Sequence, residues 1–375
     1  MKPIGLYIHI PFCVKKCNYC DFNSFTKPEL ISSYISALKK EIETLKDKDY
    51  IAQTIFVGGG TPTILSPEEL EDVFHTVYKN IPVSDNAEIT IEANPGTLTE
   101  EKLLALKYAK VNRLSIGLQA SQDRLLKIIG RIHTFKDFKI NFEAARRIGF
   151  DNINIDLIFG LPTQSVNDFR ETLQQVLELN PEHISCYSLS IEEGTVFYRL
   201  LQEEKLKLPL EDEERQMYYE AIKILNQSGY EHYEISNFAV PKRQSEHNKI
   251  YWSYKEYLGL GAGAHSFIEN QRFYNYPLIE DYIYSMKNLS SAVAEREDIS
   301  IREQQAEFCF LGLRLLEGID KKVFKQRFGT EFMQVYKNAV ENMKKEALIE
   351  EKGDKVRLTK KGLDFANIVF AEFLP

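Results

Sequence analysis

The chain has 375 residues, a formal net charge of −8 and 43% hydrophobic residues, with 23 Phe and 20 Tyr as bulky core material. The length suits one large domain with a smaller one. The acid excess excludes a nucleic-acid partner held by general basic charge, and no run approaches the roughly 20 apolar residues that a membrane helix needs. Three of the five cysteines fall within eight residues, which argues against a disulfide framework and for metal or redox chemistry in a reducing compartment. Cys186 and Cys309 sit among apolar neighbours and read as small core residues. The start, Met1 to Gly5, has neither the apolar run nor the cleavage site of a signal peptide, so the expected location is cytoplasmic.

In chain order, apolar alternation predicts strands over 4–10, 54–58, 87–92, 113–118, 152–158 and 183–189. Helical periodicity predicts helices over 29–46, 67–79, 99–108, 121–129, 135–148, 165–178 and 212–227. Strand-then-helix repetition gives an α/β fold with a parallel sheet. Six units fall short of the eight of a closed barrel, so a partial (β/α)6 barrel is expected. The strands alternate where doubly buried parallel strands should be apolar throughout. Ile89 and Ile91 oppose Glu88, Thr90 and Glu92; Ile153, Ile155 and Leu157 oppose Asn152, Asn154 and Asp156. Helices would cover the apolar faces, and the polar faces would line a ligand cavity rather than a wet surface.

The rhythm breaks near residue 230, where a Tyr-rich stretch begins and runs to Tyr284. Helices are predicted near 301–316, 320–328 and 331–346. A hairpin turning at Lys352-Gly353-Asp354 follows, and then a helix from about 360. Helices followed by a hairpin predict a small α+β, winged-helix-like domain. The expected divisions are 1–230, 231–300 and 301–375, with the charged segment 294–304 as the junction.

Cys13, Cys17 and Cys20 follow the first strand with C-x3-C-x2-C spacing. Three thiolates in one short loop suit three corners of a 4Fe-4S cluster, leaving one iron open to a small molecule. The rival is zinc, with His9 or Asp21 as fourth ligand. Structural zinc sites pair two separated knuckles, and no second one is present, so the cluster is favoured. The second strand ends in Gly58-Gly59-Gly60-Thr61-Pro62-Thr63, where glycines let backbone approach a ligand closely.

The cysteine spacing after Tyr7-Ile8-His9-Ile10-Pro11-Phe12 resembles the radical-SAM superfamily, in which S-adenosylmethionine (SAM) chelates the open iron. The GGGTPT run is similar to the subgroup around oxygen-independent coproporphyrinogen oxidase. The resemblance implies SAM contacts from Tyr7, Tyr19, Gly59, Gly60, Thr61, Glu92, Gln119, Arg131 and Asp156. Arg131 would be the carboxylate partner, since its fork suits that geometry. In the oxidase, positions matching Gly60, Thr61, Gln119, Arg131 and Asp156 hold a second SAM, so one site or two stays open.

Two branches of that subgroup share these features. The oxidase carries a further cysteine two positions past the third, where this chain has Phe22. It also uses an N-terminal extension, for which the six residues before Tyr7 leave no room. His247-Asn248-Lys249-Ile250-Tyr251-Trp252 resembles the HNxxYW motif of the HemW family of haem chaperones. That resemblance implies His247 as an axial haem ligand, with Tyr251 and Trp252 offering flat apolar surface. Alone, the hexapeptide reads more simply as packed aromatics around a hydrogen-bonded histidine. His265, in the turn Gly259 to His265, reads as structural. The expected function is a haem chaperone that binds haem and a SAM-liganded 4Fe-4S cluster and transfers haem to an acceptor protein, with the C-terminal domain as candidate docking surface. The alternative is a coproporphyrinogen III oxidase-type decarboxylase. The composition points to no transmembrane segment and leaves peripheral membrane contact open.

Overall fold

A computed structural model describes residues 1–375. Six parallel strands form the middle of one sheet: β1 (Lys2–Ile10), β2 (Tyr50–Gly59), β3 (Val83–Ala93), β4 (Arg113–Gln119), β5 (Ile153–Phe159) and β6 (His183–Ser188). One face is apolar because alternate side chains point the same way. Ile4, Leu6, Ile8 and Ile10 of β1 are buried there, as are Leu114, Ile116 and Leu118 of β4. They join a core of 58 residues beneath the covering helices. Four helices open on a Ser or Thr answered by an acid three residues on: Ser66 and Glu69, Thr134 and Asp137, Ser165 and Asp168, Ser300 and Glu303. Each pair satisfies backbone N–H groups that the first turn leaves free, worth about 1 kcal/mol per cap.

The stretch 231–300 belongs to the same sheet, which alternation did not foretell. β7 (Glu231–Glu234) and β8 (Asn237–Ala239) lie antiparallel beyond β6. The chain then crosses to the opposite edge. There β9 (Tyr257–Leu260) runs parallel to β1, and β10 (His265–Ile268), β11 (Gln271–Asn275) and β12 (Val293–Asp298) continue antiparallel. The sheet has twelve strands and stays open, with β12 and β7 as its edges. The charged run expected as a junction falls partly in the helix from Ile301 and partly in β12. The exposed charges of β12 suit an edge strand, since they discourage pairing with another chain.

Several helix ends also differ. The first helix spans Ile31–Glu43, because Lys46 to Asp49 offer no apolar side chain to bury. The helix from Ile301 stops at Gly312, and Leu315 pairs with Glu234 in an isolated bridge. The last helix is broken at Phe365 into Lys360–Asp364 and Ala366–Ala371.

Residues 301–375 build most of a second core around Phe308, Phe324, Phe332, Tyr336 and Phe373, which Tyr254, Phe267 and Ile299 of the preceding stretch complete. β13 (Ile319–Asp320), β14 (Ile349–Lys352) and β15 (Lys355–Leu358) form its three-stranded sheet. The architecture is thus α/β: a partial (β/α)6 barrel with a smaller α+β, winged-helix-like domain. No helix is long and apolar enough to cross a membrane.

One buried carboxylate joins the first helix to the added strands. Glu41 accepts from Tyr282 Oη at 2.6 Å, Asn275 Nδ2 at 2.6 Å and Gly261 N at 2.8 Å. Burial pushes its pKa up to about 7, against these donors. An acid with a raised folded pKa contributes stability that is full below about pH 4.5 and is lost as pH rises through about 7. Glu41→Gln is expected to flatten that part of the Tm-against-pH profile. An unchanged profile would remove Glu41 as its source.

Candidate cofactor site at the barrel mouth

The C-terminal ends of the parallel strands surround a cavity of about 350 Å³. Cys13, Cys17 and Cys20 line it as free, partly exposed thiols. Their loop is strapped down on both sides. Cys13 N donates to Phe25 O, Asn18 N to Ile129 O and Phe197 N to Asn18 O, each at 2.9 Å. Asn23 Nδ2 reaches Ala262 O at 3.0 Å and Pro277 O at 2.9 Å, and His9 Nε2 bonds Asn23 O at 2.8 Å. Burial raises the Cys20 thiol, and the neighbouring Cys17 and Cys13 add to the rise. No three His, Cys, Asp or Glu side chains converge as ligands of a single metal ion. Three free thiols border one cavity, the type of donor that a 4Fe-4S cluster takes.

The glycine run meets this loop. Gly59 has φ +115°, a left-handed conformation that favours glycine. A side chain at Gly60 would stand 2.6 Å from Phe12 O and 3.0 Å from Cys13 Sγ, so the close approach requires glycine. Gly59 N donates to Glu92 Oε2 at 3.0 Å. Gln119 is a non-glycine residue at φ +74°, next to a register shift between β4 and β5. Such an outlier is a mark of a functional site, and the bulge re-aims the side chain.

The structure brings Tyr19, Gly59, Gly60, Thr61, Glu92, Gln119, Arg131 and Asp156 to this cavity. It also shows a link that the spacing did not reveal. Asn94 Nδ2 donates to Thr61 Oγ1 at 2.7 Å, and Asn94 Oδ1 accepts from Arg131 Nη1. Arg131 Nη2 donates to Tyr19 Oη at 3.1 Å, while its Nε is buried without a partner. Asn94 stands in Glu92-Ala93-Asn94-Pro95-Gly96, where an amide following a lumen-facing acid was the available signal. Burial, then the Asp156 charge, pushes Glu92 up to about 8, so it is protonated at neutral pH. Burial raises Asp156 as well, opposed by hydrogen bonds from Ser115 and Asn154.

Below lies a second chamber of about 200 Å³ that shares Glu92, Ser115, Asp156 and Tyr187 with the first. Tyr7 lines this lower chamber and not the upper one, with its hydroxyl 2.9 Å from His9 Nδ1. His247 is here too. Its helix, Glu246–Trp252, covers the floor, and Glu88 accepts the Glu246 and His247 N–H groups at 3.1 Å. Both ring nitrogens are engaged: Nδ1 with Thr54 Oγ1 and Nε2 with Tyr251 Oη, each at 2.7 Å. The ring stacks on Phe56 at 5.1 Å. Burial, with Arg113 nearby, pushes its pKa down to about 3, so it is neutral.

Comparison with known proteins fits this picture. The model of the Radical SAM superfamily matches residues 7–176, and that of the HemN C-terminal domain matches residues 299–365. Heme chaperone HemW of Bacillus subtilis is 41% identical over 374 residues, covering 98% of either chain. Heme chaperone HemW of Lactococcus lactis is 36% identical, covering all of this chain and 98% of its own. The structure of coproporphyrinogen III oxidase (HemN) from Escherichia coli superposes with a TM-score of 0.87 at 25% identity, over 99% of this chain and 90% of that one.

The bonds around His247 generate a stability prediction. His247→Ala should lower the unfolding free energy by roughly 2–4 kcal/mol, since it opens a cavity and strands two hydroxyls. Tyr251→Phe removes one bond and should cost only about 1 kcal/mol. Urea unfolding of the two variants checks the order, and equal losses would contradict it.

Proposed function

The chain belongs to the HemW family of haem chaperones, and from that membership we infer that it binds haem beside a SAM-liganded 4Fe-4S cluster and transfers haem to an acceptor protein. The observation that carries this reading is 41% identity to a heme chaperone along 98% of both chains. The second reading, a porphyrinogen decarboxylase, draws on the superposition with HemN. It is weakened by Phe22, where the oxidase has cysteine.

We propose Cys13, Cys17 and Cys20 as the cluster's ligands. When bound, the cluster supplies an open iron for the amine and carboxylate of SAM. Gly59, Gly60 and Thr61 offer backbone and hydroxyl groups beside that iron, and Arg131 offers a charged fork held by Asn94 and Tyr19. Glu92, Gln119 and Asp156 offer the remaining polar contacts along the cavity wall. Tyr7 acts from below, through its position under Glu92. The chain divides functionally into 1–230 for the cofactor barrel, 231–300 for the extension and floor, and 301–375 as a docking unit for the acceptor, packed on the extension through a core distinct from the barrel's. His247 carries a condition. To ligate iron it must release Tyr251 or Thr54 and swing out of the floor.

Anaerobic reconstitution with iron and sulfide should give absorbance near about 400 nm that changes on adding SAM. Alanine at any of the three cysteines should abolish it, and a cluster that survives would move the ligand set. The functional test pairs two incubations of the loaded chain. Haem should pass to an apo-acceptor, and coproporphyrinogen III with SAM and reductant should stay unconverted. Decarboxylated product would overturn the chaperone reading.

A further inference from the structure

The cysteine loop has no helix or strand of its own between Cys13 and Ser24, so its shape is set by what holds it. Two asparagines straddle Cys20: Asn18 and Asn23. Each side-chain amide donates to main-chain carbonyls of another segment. Asn18 Nδ2 donates to Ile128 O at 2.9 Å, beside the Ile129 O that its own N–H takes. Those carbonyls stand at the end of the helix Asp123–Ile128, where the last turn leaves acceptors free. Asn23 Nδ2 donates to both Ala262 O and Pro277 O, in the strands added beyond β1. A carbonyl only accepts, so both amides are fixed in orientation, with the nitrogen toward the wall.

Each amide also lies over a glycine in the left-handed region. A Cβ at Gly130, with φ +82°, would stand 3.2 Å from Asn18 Cγ; one at Gly263, with φ +72°, would stand 2.5 Å from Asn23 Nδ2. The same contact is built twice, on two different walls. The Asn23 wall is itself firmly held. Gly261 N donates to Glu41, Asn275 Nδ2 holds Gly261 O at 2.9 Å, and Ala262 N reaches Tyr34 Oη at 3.0 Å. The main-chain carbonyl of Asn23 accepts from His9 Nε2, and the His9 ring lies against Gly59, where a Cβ would meet its Cε1 at 2.6 Å. The exit of the loop and the glycine run therefore share one support.

We propose that Asn18 and Asn23 are positioning residues of the cluster site: they pin the loop on both sides of Cys20 and so set the second and third thiols against Gly59 to Thr61. The inference rests on Cys13, Cys17 and Cys20 as the cluster's ligands. Neither asparagine lines the cavity, so each acts through the loop and not by touching the cluster. Groups of this kind matter because they hold the ligands in the binding geometry before the metal arrives. Asparagine suits the place: its amide is short enough to lie over a glycine and carries the two donors that a pair of carbonyls takes.

The test uses the full chain, reconstituted anaerobically with iron and sulfide. Two properties are read: the rate at which EDTA strips the cluster, followed near about 400 nm, and the electron paramagnetic resonance signal of the reduced cluster with and without SAM. Asn18→Ala and Asn23→Ala are each expected to lose the cluster roughly tenfold faster or more and to alter the SAM-dependent signal, while the Tm of the cluster-free chain falls by only a few degrees. Gly263→Ala keeps Asn23 but pushes its amide aside, and should reproduce the Asn23→Ala rate. Once Asn23→Ala is present, Gly263→Ala should add nothing further to that rate. An unchanged rate and signal in either asparagine variant would overturn the proposal and leave the ligand assignment standing. Full additivity between Gly263→Ala and Asn23→Ala would overturn it as well. A wild-type chain that forms no cluster would overturn the ligand assignment and the proposal with it.

Discussion

The structure depends on keeping the inner face of a parallel sheet polar, buried and satisfied. Parallel strands covered by helices are ordinarily apolar on both faces, and an unpaired polar group in such a place is costly. Here Asn154 is the hub of the solution. Its Nδ2 donates to Ser115 Oγ at 2.8 Å and Asp156 Oδ1 at 2.9 Å, and its Oδ1 meets His183 Nδ1 at 2.6 Å and Ser185 Oγ at 3.1 Å. His183 Nε2 then bonds Tyr233 Oη at 2.9 Å. Three of the parallel strands and the antiparallel β7 are tied through one amide. The barrel's polar interior is therefore completed by the extension, not by the barrel alone.

The floor meets that constraint only in part, since the buried Arg113 Nε has no hydrogen-bond partner. Arg113 is buried, and its closest acid is Glu88, 4.0 Å away. Glu88 in turn accepts the first N–H groups of the helix Glu246–Trp252, where a carboxylate is favoured by the free donors and the dipole. That helix places His247 and Tyr251 in the lower chamber and lets the chain cross from β8 to β9. The hexapeptide His247 to Trp252 thus has a structural reason to exist whatever it does for haem. Its aromatic rings pack, and Arg314 lies over the Trp252 ring at 4.2 Å.

Much of this was legible in the sequence. The β3 and β5 alternation named the apolar and polar faces. Glu92 and Asp156 fell on the lumen face by period two alone. Two kinds of feature were hidden. Strands of three to six residues, such as β8 and β12, are too short to show a period, and an edge strand's charges read as linker. Asn94 was also missed. It follows the end of a strand, so it has no periodic face to be assigned to, and its role rests on tertiary neighbours. Arg131 had the same handicap and came to notice through resemblance.

The two chambers differ in what can reach them. The lower one is closed beneath by Glu246–Trp252, and apart from Arg113 Nε its polar groups are largely spent on one another: His247 on Thr54 and Tyr251, Asn154 on its four partners. The upper one keeps its reactive groups free, with three thiols and an unpartnered Arg131 Nε. Polar groups satisfied internally rigidify a fold, while unsatisfied ones at an opening are available to a ligand. The upper chamber is thus the one open to a ligand, and the cysteine loop borders it with three thiols while Val14 and Phe22 stand exposed at its mouth. A change in that loop on loading the cluster would then be felt at the rim without any path through the barrel wall.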